Sequence, residues 1–157
     1  MRIFVGKLTI NIFMLTKISS SPAPKKVINA MVTLYNQGKI ADILARAPKI
    51  LEQYPDTPSL CNILGVIHFH QGFIQEAASY FRKTIDLLPN DPDAYNNLGN
   101  VCKEEKKYKE AILNYEKAIQ NKPNYLKAYK NLFVILQIKN DITSSEKLIK
   151  KAIKIFN

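Results

Sequence analysis

The chain has 157 residues and a formal net charge of +10, from 23 lysine and arginine residues against 13 aspartate and glutamate residues. This length suits about one domain, and an apolar content of 46% excludes wholesale disorder. Two cysteines in separate segments, Cys61 and Cys102, exclude a disulfide framework and a four-ligand zinc site. They favour a reducing compartment.

Residues 1–24 are predicted to form an N-terminal extension and linker. The longest uncharged run near the start, residues 8–16, is too short to span a bilayer. Three interpretations stay open: a signal peptide, a translation start at Met14, and an apolar arm that packs on the following residues or stays loose, which we favour. We therefore expect a cytoplasmic protein, with export or membrane association through residues 1–20 as the alternative.

A repeat of about 34 residues organises the rest of the chain. A shift by one repeat aligns Leu98-Gly99 with Leu64-Gly65 and Gly72 with Gly38, and apolar residues at helical spacing predict two helices in each unit. Gly65 and Gly99 should allow a neighbouring helix to approach closely, and Pro123 should end the second helix of its unit. The predicted repeat domain covers residues 25–157, with units at about 25–57, 58–91, 92–125 and 126–157.

The third unit carries the most specific pattern. At fixed places it has Tyr95, Leu98-Gly99, Ala111, Tyr115, Ala118 and Pro123. This pattern resembles the tetratricopeptide repeat, and it is similar to the repeats of O-linked N-acetylglucosamine transferase-type proteins. The resemblance implies an all-α fold, a right-handed superhelical solenoid of about four helix–turn–helix units. We expect the last unit to be short and to act as a polar cap, with Lys147, Lys150, Lys151 and Lys154 on its outer face.

No catalytic or metal-binding constellation is recognisable in the sequence. The two histidines, His68 and His70, are two positions apart and would point to different faces of a helix. Cys61 and Cys102 occupy places where the repeat buries apolar groups, so we interpret both as packing residues. The five glycines form neither a phosphate-binding loop nor a dinucleotide-binding fingerprint. We therefore expect no enzymatic activity, no metal and no cofactor.

Asparagines recur on the face that would line the concave groove of the solenoid. Asn97 and Asn131 are one repeat apart, and Asn29 has the same register, whereas the second unit has Ile63 with Asn62 beside it. A carboxamide can pair with both backbone groups of an extended peptide residue. With helices roughly 8–10 Å apart and about 3.3 Å per extended residue, one asparagine could bind every third residue. The pattern is similar to the asparagine ladder of those transferases, interrupted at Ile63.

A second type of groove, the carboxylate clamp for chaperone C-termini, matches poorly. Only Asn97 and Lys127 fit its places, whereas Val66 and Asn131 replace an asparagine and a basic residue. The candidate residues for binding a peptide in the groove are Asn29, Asn62, Asn97, Asn100, Lys127, Lys130 and Asn131.

The positive charge lies at the two ends of the chain. Residues 1–26 have five basic residues and no acidic one, residues 27–119 have ten basic and eleven acidic residues, and residues 120–157 have eight lysines against Asp141 and Glu146. A near-neutral middle does not support a nucleic-acid-binding face, so we expect no specific nucleic-acid partner. Weak association with anionic surfaces through the basic ends remains a third option.

The function expected from these features is a non-enzymatic protein-interaction scaffold. It would bind an extended peptide or a partner helix in its concave groove. The alternative is the repeat region of a glycosyltransferase or sulfotransferase whose catalytic domain is absent here or separately encoded.

Overall fold

The computed structural model describes residues 21–156, which form eight α-helices and no strand. The all-α prediction is therefore confirmed for this part of the chain. The predicted apolar arm, the alternative signal peptide and the start at Met14 fall on residues 1–20, outside the described residues. The helices are α1 (Lys25–Asn36), α2 (Ile40–Gln53), α3 (Pro58–His70), α4 (Ile74–Leu87), α5 (Pro92–Glu104), α6 (Tyr108–Asn121), α7 (Leu126–Ile138) and α8 (Ile142–Phe156).

Each odd-numbered helix ends in a tight turn that leads into the next helix. The residue in the turn has a positive φ of 70° at Gly38, 82° at Gly72, 60° at Lys106 and 54° at Asn140. After Lys106, for example, the Lys107 N–H donates to the Cys102 carbonyl at 2.8 Å, the long bond of a Schellman motif. The turn thus keeps the period of the repeat even where glycine is absent.

Local side-chain chemistry sets other helix ends. The Asp91 carboxylate accepts hydrogen bonds from the backbone N–H of Asp93 (2.9 Å) and Ala94 (3.4 Å) and so caps the start of α5. Asp141 accepts from the Ser144 N–H at 3.0 Å near the start of α8, and this bond lowers the pKa of the Asp141 carboxyl. At the other end of α6, Lys122 is extended immediately before Pro123, as predicted.

The chain divides into two compact units, with the division between Ile63 and Leu64. In the first unit the Ala23 N–H donates to Thr57 Oγ1 at 2.9 Å, which fixes the segment before α1 to the loop before α3. Its buried apolar side chains are Ala23, Met31, Ile43, Ala47, Leu60 and Cys61. The repeat boundaries proposed from the sequence stay a prediction.

In the second unit, glycine permits the close approach of aromatic rings. A Cβ atom at Gly99 would lie 2.6 Å from the Tyr115 ring, and one at Gly65 would lie 2.5 Å from the Phe81 ring. Both distances are too short for any real contact, so these glycines have the packing role expected for them. Tyr115 belongs to a buried cluster formed by α5, α6 and α7, whose members include Cys102, Ala111, Ala118, Ile119, Ala128, Tyr129 and Leu132.

The last helix pair is not the short polar cap that we expected. Helix α8 has 15 residues, and Ile142, Ile149, Ile153 and Phe156 are exposed. Ser145 is buried, and Leu148 and Ala152 pack partly buried against the cluster that includes residues of α7. The four lysines are exposed as expected, but the prediction of a short polar cap was wrong because it did not consider the apolar residues between them.

Replacing Ala111 with leucine should lower the free energy of unfolding by about 1–3 kcal/mol. Ala111 is fully buried in the cluster that contains Tyr115, so a larger side chain would have to displace its neighbours. Urea denaturation measures the change. The matched control is Leu113→Ala, because Leu113 is 65% exposed on the same helix and should change stability by less than about 0.5 kcal/mol. Wild-type stability for Ala111→Leu would contradict this packing.

In the part of the chain that the structure describes, no helix is both long enough and apolar enough to cross a membrane.

Candidate functional site

Side-chain amides join three helices of the second unit. Asn131 on α7 donates from Nδ2 to the Oδ1 atoms of two α5 residues, Asn96 at 2.9 Å and Asn100 at 3.2 Å. Tyr115 on α6 donates its hydroxyl hydrogen to the same Asn100 oxygen at 2.9 Å. We call Asn96, Asn100, Tyr115 and Asn131 the amide network. It holds successive helices in register.

The amide network changes what Asn131 can offer to a ligand. Both hydrogens of its Nδ2 group are used within the fold, so Oδ1 is the atom left to accept a hydrogen bond from a peptide N–H. Sequence reasoning missed Asn96, which is buried. Its position four residues before Asn100, on the same face of a helix, was the signal that could have identified it.

A small cavity lies next to the amide network. Its volume is about 90 Å³, and Asn97 and Asn100 face it together with the aromatic rings of Phe69 and Phe81. Val66 and His70 complete its lining. Asn97 and Asn100 are both half-buried. The cavity therefore combines an apolar wall with carboxamide groups, the chemistry expected where a peptide backbone and a small apolar side chain bind together.

Two predicted lysines are exposed on α7. Lys127 is four residues before Asn131 and therefore shares its face of the helix. Lys130 lies one repeat after Asn96 rather than Asn97, so its register is that of the amide network and not that of the predicted ladder.

The other two candidates belong to the first unit. Asn29 is exposed on α1, and its backbone carbonyl accepts a hydrogen bond from Thr33 Oγ1 at 2.8 Å. Asn62 is half-buried on α3. Of the seven predicted groove residues, the structure directly joins Asn100 with Asn131 and places Asn97 beside Asn100 at one cavity.

The cysteines and His68 are in packing environments, whereas His70 is exposed and lines the cavity beside Asn97. Cys61 and Cys102 are free thiols and buried. Burial raises the pKa of the Cys102 thiol, and the nearby carboxylates of Glu110 and Glu105 raise it further, which opposes a nucleophilic role. His68 stacks on Tyr80 with ring centroids 5.4 Å apart. Within residues 21–156, no group of three or more metal-ligating side chains is close enough to hold an ion.

Comparison with known families identifies the repeat. A family model described as tetratricopeptide repeat matches residues 92–125, and a second model with the same description matches residues 32–92. Together they span more than half of the chain. The chain is a tetratricopeptide repeat protein. No curated protein sequence matches it.

Solved structures share the fold. A MamA crystal structure is 26% identical, with a TM-score of 0.73 over 81% of this chain and 69% of that chain. The first tetratricopeptide repeat domain of Spaghetti (RPAP3), bound to the HSP90 peptide SRMEEVD, is 22% identical, with a TM-score of 0.70 over 80% and 98% of the two chains. A mutant O-GlcNAc transferase from Thermobaculum terrenum is 25% identical, with a TM-score of 0.62. The match covers 73% of this chain and 23% of that one. These matches confirm the predicted solenoid fold class.

Proposed function

We propose that this tetratricopeptide repeat protein is a non-enzymatic protein-interaction scaffold that binds an extended peptide along α5 and α7. The observation that carries the proposal is the cavity where Asn97 and Asn100 meet the rings of Phe69 and Phe81. Free, buried cysteines suit a reducing compartment such as the cytoplasm.

The polar groups along this surface fit a peptide backbone better than a particular side chain. Asn97 lies one helical turn before Asn100 and has the register of Asn131 in the next repeat. Asn131 is held by Asn96 and Asn100, so its Oδ1 atom is positioned in advance and loses little entropy when a peptide N–H binds. The cavity beside Asn97 would accept one small apolar side chain of the peptide. We therefore expect broad sequence tolerance with a preference for an aliphatic residue at one place.

Replacing Asn97 with alanine should weaken peptide binding by about tenfold. The probe is a peptide enriched from a random library displayed on phage and selected on the intact chain, then synthesised with a fluorescent label. Fluorescence anisotropy gives its dissociation constant for each variant. The matched control is Asn124→Ala, because Asn124 is exposed in the turn between α6 and α7 and should leave the constant unchanged.

Two further measurements separate binding from folding. Thermal unfolding of Asn97→Ala and Asn124→Ala gives any loss of stability directly, and affinities are compared at a temperature at which both variants are fully folded. Methylation of successive backbone nitrogens in the peptide should weaken binding at one or more positions, because it removes the N–H donors. Equal affinity of wild-type and Asn97→Ala chains, or no enriched peptide at all, would count against the groove.

The peptide SRMEEVD distinguishes this groove from a carboxylate clamp. We expect weak binding to this chain, because Val66 and Asn131 occupy two of the places that such a clamp fills with an asparagine and a basic residue. Lys127 provides an exposed cation on α7, one helical turn before Asn131. Tight binding of SRMEEVD that is lost in Lys127→Ala would favour the clamp instead.

A second candidate is presentation of protein substrates to a glycosyltransferase or sulfotransferase domain on another chain. It is supported by the 25% identity with the O-GlcNAc transferase. A catalytic protein encoded beside this chain should then copurify with it, and Asn97→Ala should reduce modification of substrates without weakening the complex.

A further inference from the structure

A second surface, formed by the last two helices, α7 and α8, exposes several large apolar side chains. On α8, Ile149 is 44% exposed and Ile153 is 53% exposed. Val134 on α7 is also exposed, as is Lys130 one turn before it. We call Lys130, Val134, Ile149 and Ile153 the terminal face.

The preceding repeat shows what normally covers these positions. Ile149 and Ile153 lie one repeat after Tyr115 and Ile119, which are only 0% and 4% exposed. Tyr115 and Ile119 belong to one buried cluster with Ala128, Tyr129 and Leu132 of α7, so a helix covers them. The terminal face therefore has the register of a surface on which an α-helix packs.

The same equivalence shows that the four residues form one continuous face. Tyr115 contacts Asn100 at 2.9 Å, and their counterparts on the last pair are Ile149 and Val134. Asn96 and Asn100 both bind Asn131 of the following helix, and their counterparts are Lys130 and Val134. In the preceding repeat, Asn96 and Asn100 accept hydrogen bonds from a side chain of the following helix. At the equivalent places the terminal face has a lysine and a valine, and neither side chain can accept such a bond.

This replacement defines the chemistry of the covering helix. Val134, Ile149 and Ile153 need an apolar stripe, and Lys130 needs a carboxylate rather than a carboxamide donor. The charge of the surrounding segment adds to this requirement, because residues 120–157 carry eight lysines and two acidic residues. Two copies of the terminal face would repel each other, whereas an acidic helix would be attracted.

We propose that the terminal face binds an amphipathic, acidic α-helix of a partner protein. The helix lies across α7 and α8, with its apolar stripe on Val134, Ile149 and Ile153 and a carboxylate against Lys130. The peptide proposed above runs along α5 and α7 and uses Asn97, Asn100 and Asn131, none of which belongs to the terminal face.

The test uses a designed probe and the full chain. The probe is a labelled synthetic helix of about 18 residues, with leucines at i, i+3, i+4 and i+7 and glutamates beside that stripe. Fluorescence anisotropy should show saturable binding that weakens as salt increases. The variant Ile149→Asn/Ile153→Asn should weaken it by about tenfold or more, and Lys130→Glu should weaken it while strengthening the binding of a matched probe with lysines in place of glutamates.

The controls keep the result specific to this face. Leu113→Asn removes an exposed apolar residue on α6, and Asn97→Ala alters the other site, so neither should affect the probe. Because Ile149 and Ile153 are exposed, their replacement should leave thermal unfolding close to wild type, and a folded double variant with wild-type affinity would overturn the proposal. Failure of the wild-type chain to bind at about 100 µM probe would also overturn it.

Other occupants are distinguished in the same experiment. If the chain alone forms dimers in sedimentation equilibrium and Ile149→Asn/Ile153→Asn abolishes them, the occupant is a second copy and the proposal fails. If phosphatidylserine vesicles bind the chain through the same isoleucines and the acidic helix does not, the surface is a lipid site and the proposal fails likewise.

Discussion

Replacing Tyr115 with alanine should lower the free energy of unfolding by about 3–5 kcal/mol, the largest effect we expect from a single substitution. The ring is fully buried and lies against Gly99, where there is no Cβ to fill the space that its removal would create. Its hydroxyl also supplies a hydrogen bond to Asn100, whose oxygen holds Asn131 as well. Urea denaturation followed by circular dichroism measures the loss.

Tyr115→Phe is the matched control for this substitution. It keeps the ring against Gly99 and removes only the hydroxyl, so it should cost about 1 kcal/mol. A double variant, Tyr115→Ala/Gly99→Leu, should recover part of the loss, because the new side chain occupies the space left by the ring. If Tyr115→Ala and Tyr115→Phe were equally stable, the packing of the ring on Gly99 would not contribute as described.

The second large effect is a loss of stability at alkaline pH. Burial raises the pKa of Tyr115, and the nearby Cys102 and Glu104 raise it further. Burial also raises the pKa of Tyr125, as does its hydrogen bond to the Asp93 carboxylate. In the unfolded chain both hydroxyls lose their protons above about pH 10, whereas the folded chain retains them. Stability is therefore complete below pH 10 and falls as the pH rises, by up to about 1.4 kcal/mol per tyrosine for each pH unit.

This pH dependence can be measured by urea denaturation between pH 8 and about 11.5. The variant Tyr115→Phe/Tyr125→Phe should be less stable than wild type near neutral pH and should show a much flatter decline above pH 10. Burial raises the pKa of Tyr129 too, so a residual slope is expected. A decline of equal steepness in the double variant would show that these two hydroxyls are not responsible.

The sequence was sufficient to predict the helical repeat, because its signals are local. The Leu98-Gly99 pair indicates a close approach of two helices, and Pro123 indicates a helix end. Each of these signals depends on only one or two residues. The register of Asn97 and Asn131 could also be predicted, since a fixed spacing places residues at equivalent positions of successive helices.

The contacts made by those residues could not be predicted in the same way. Asn131 uses its amide hydrogens on Asn96 and Asn100 of the neighbouring repeat, and this depends on the distance between two helices rather than on any pattern within one. Ile149 and Ile153 posed a similar problem. Their spacing suits a buried stripe, and only the arrangement of the last pair shows that α7 leaves them exposed.

The left-handed turns after the odd-numbered helices have a consequence for protein engineering. Gly38 and Gly72 reach a positive φ without cost, but Lys106 and Asn140 adopt nearly the same backbone with a Cβ atom present. A lysine in this conformation stores about 1 kcal/mol of strain, which the packed helices on either side hold in place. Lys106→Gly should relieve this strain, and the greater freedom of glycine in the unfolded chain offsets part of the gain. The first two repeats already have glycine at the equivalent positions, Gly38 and Gly72.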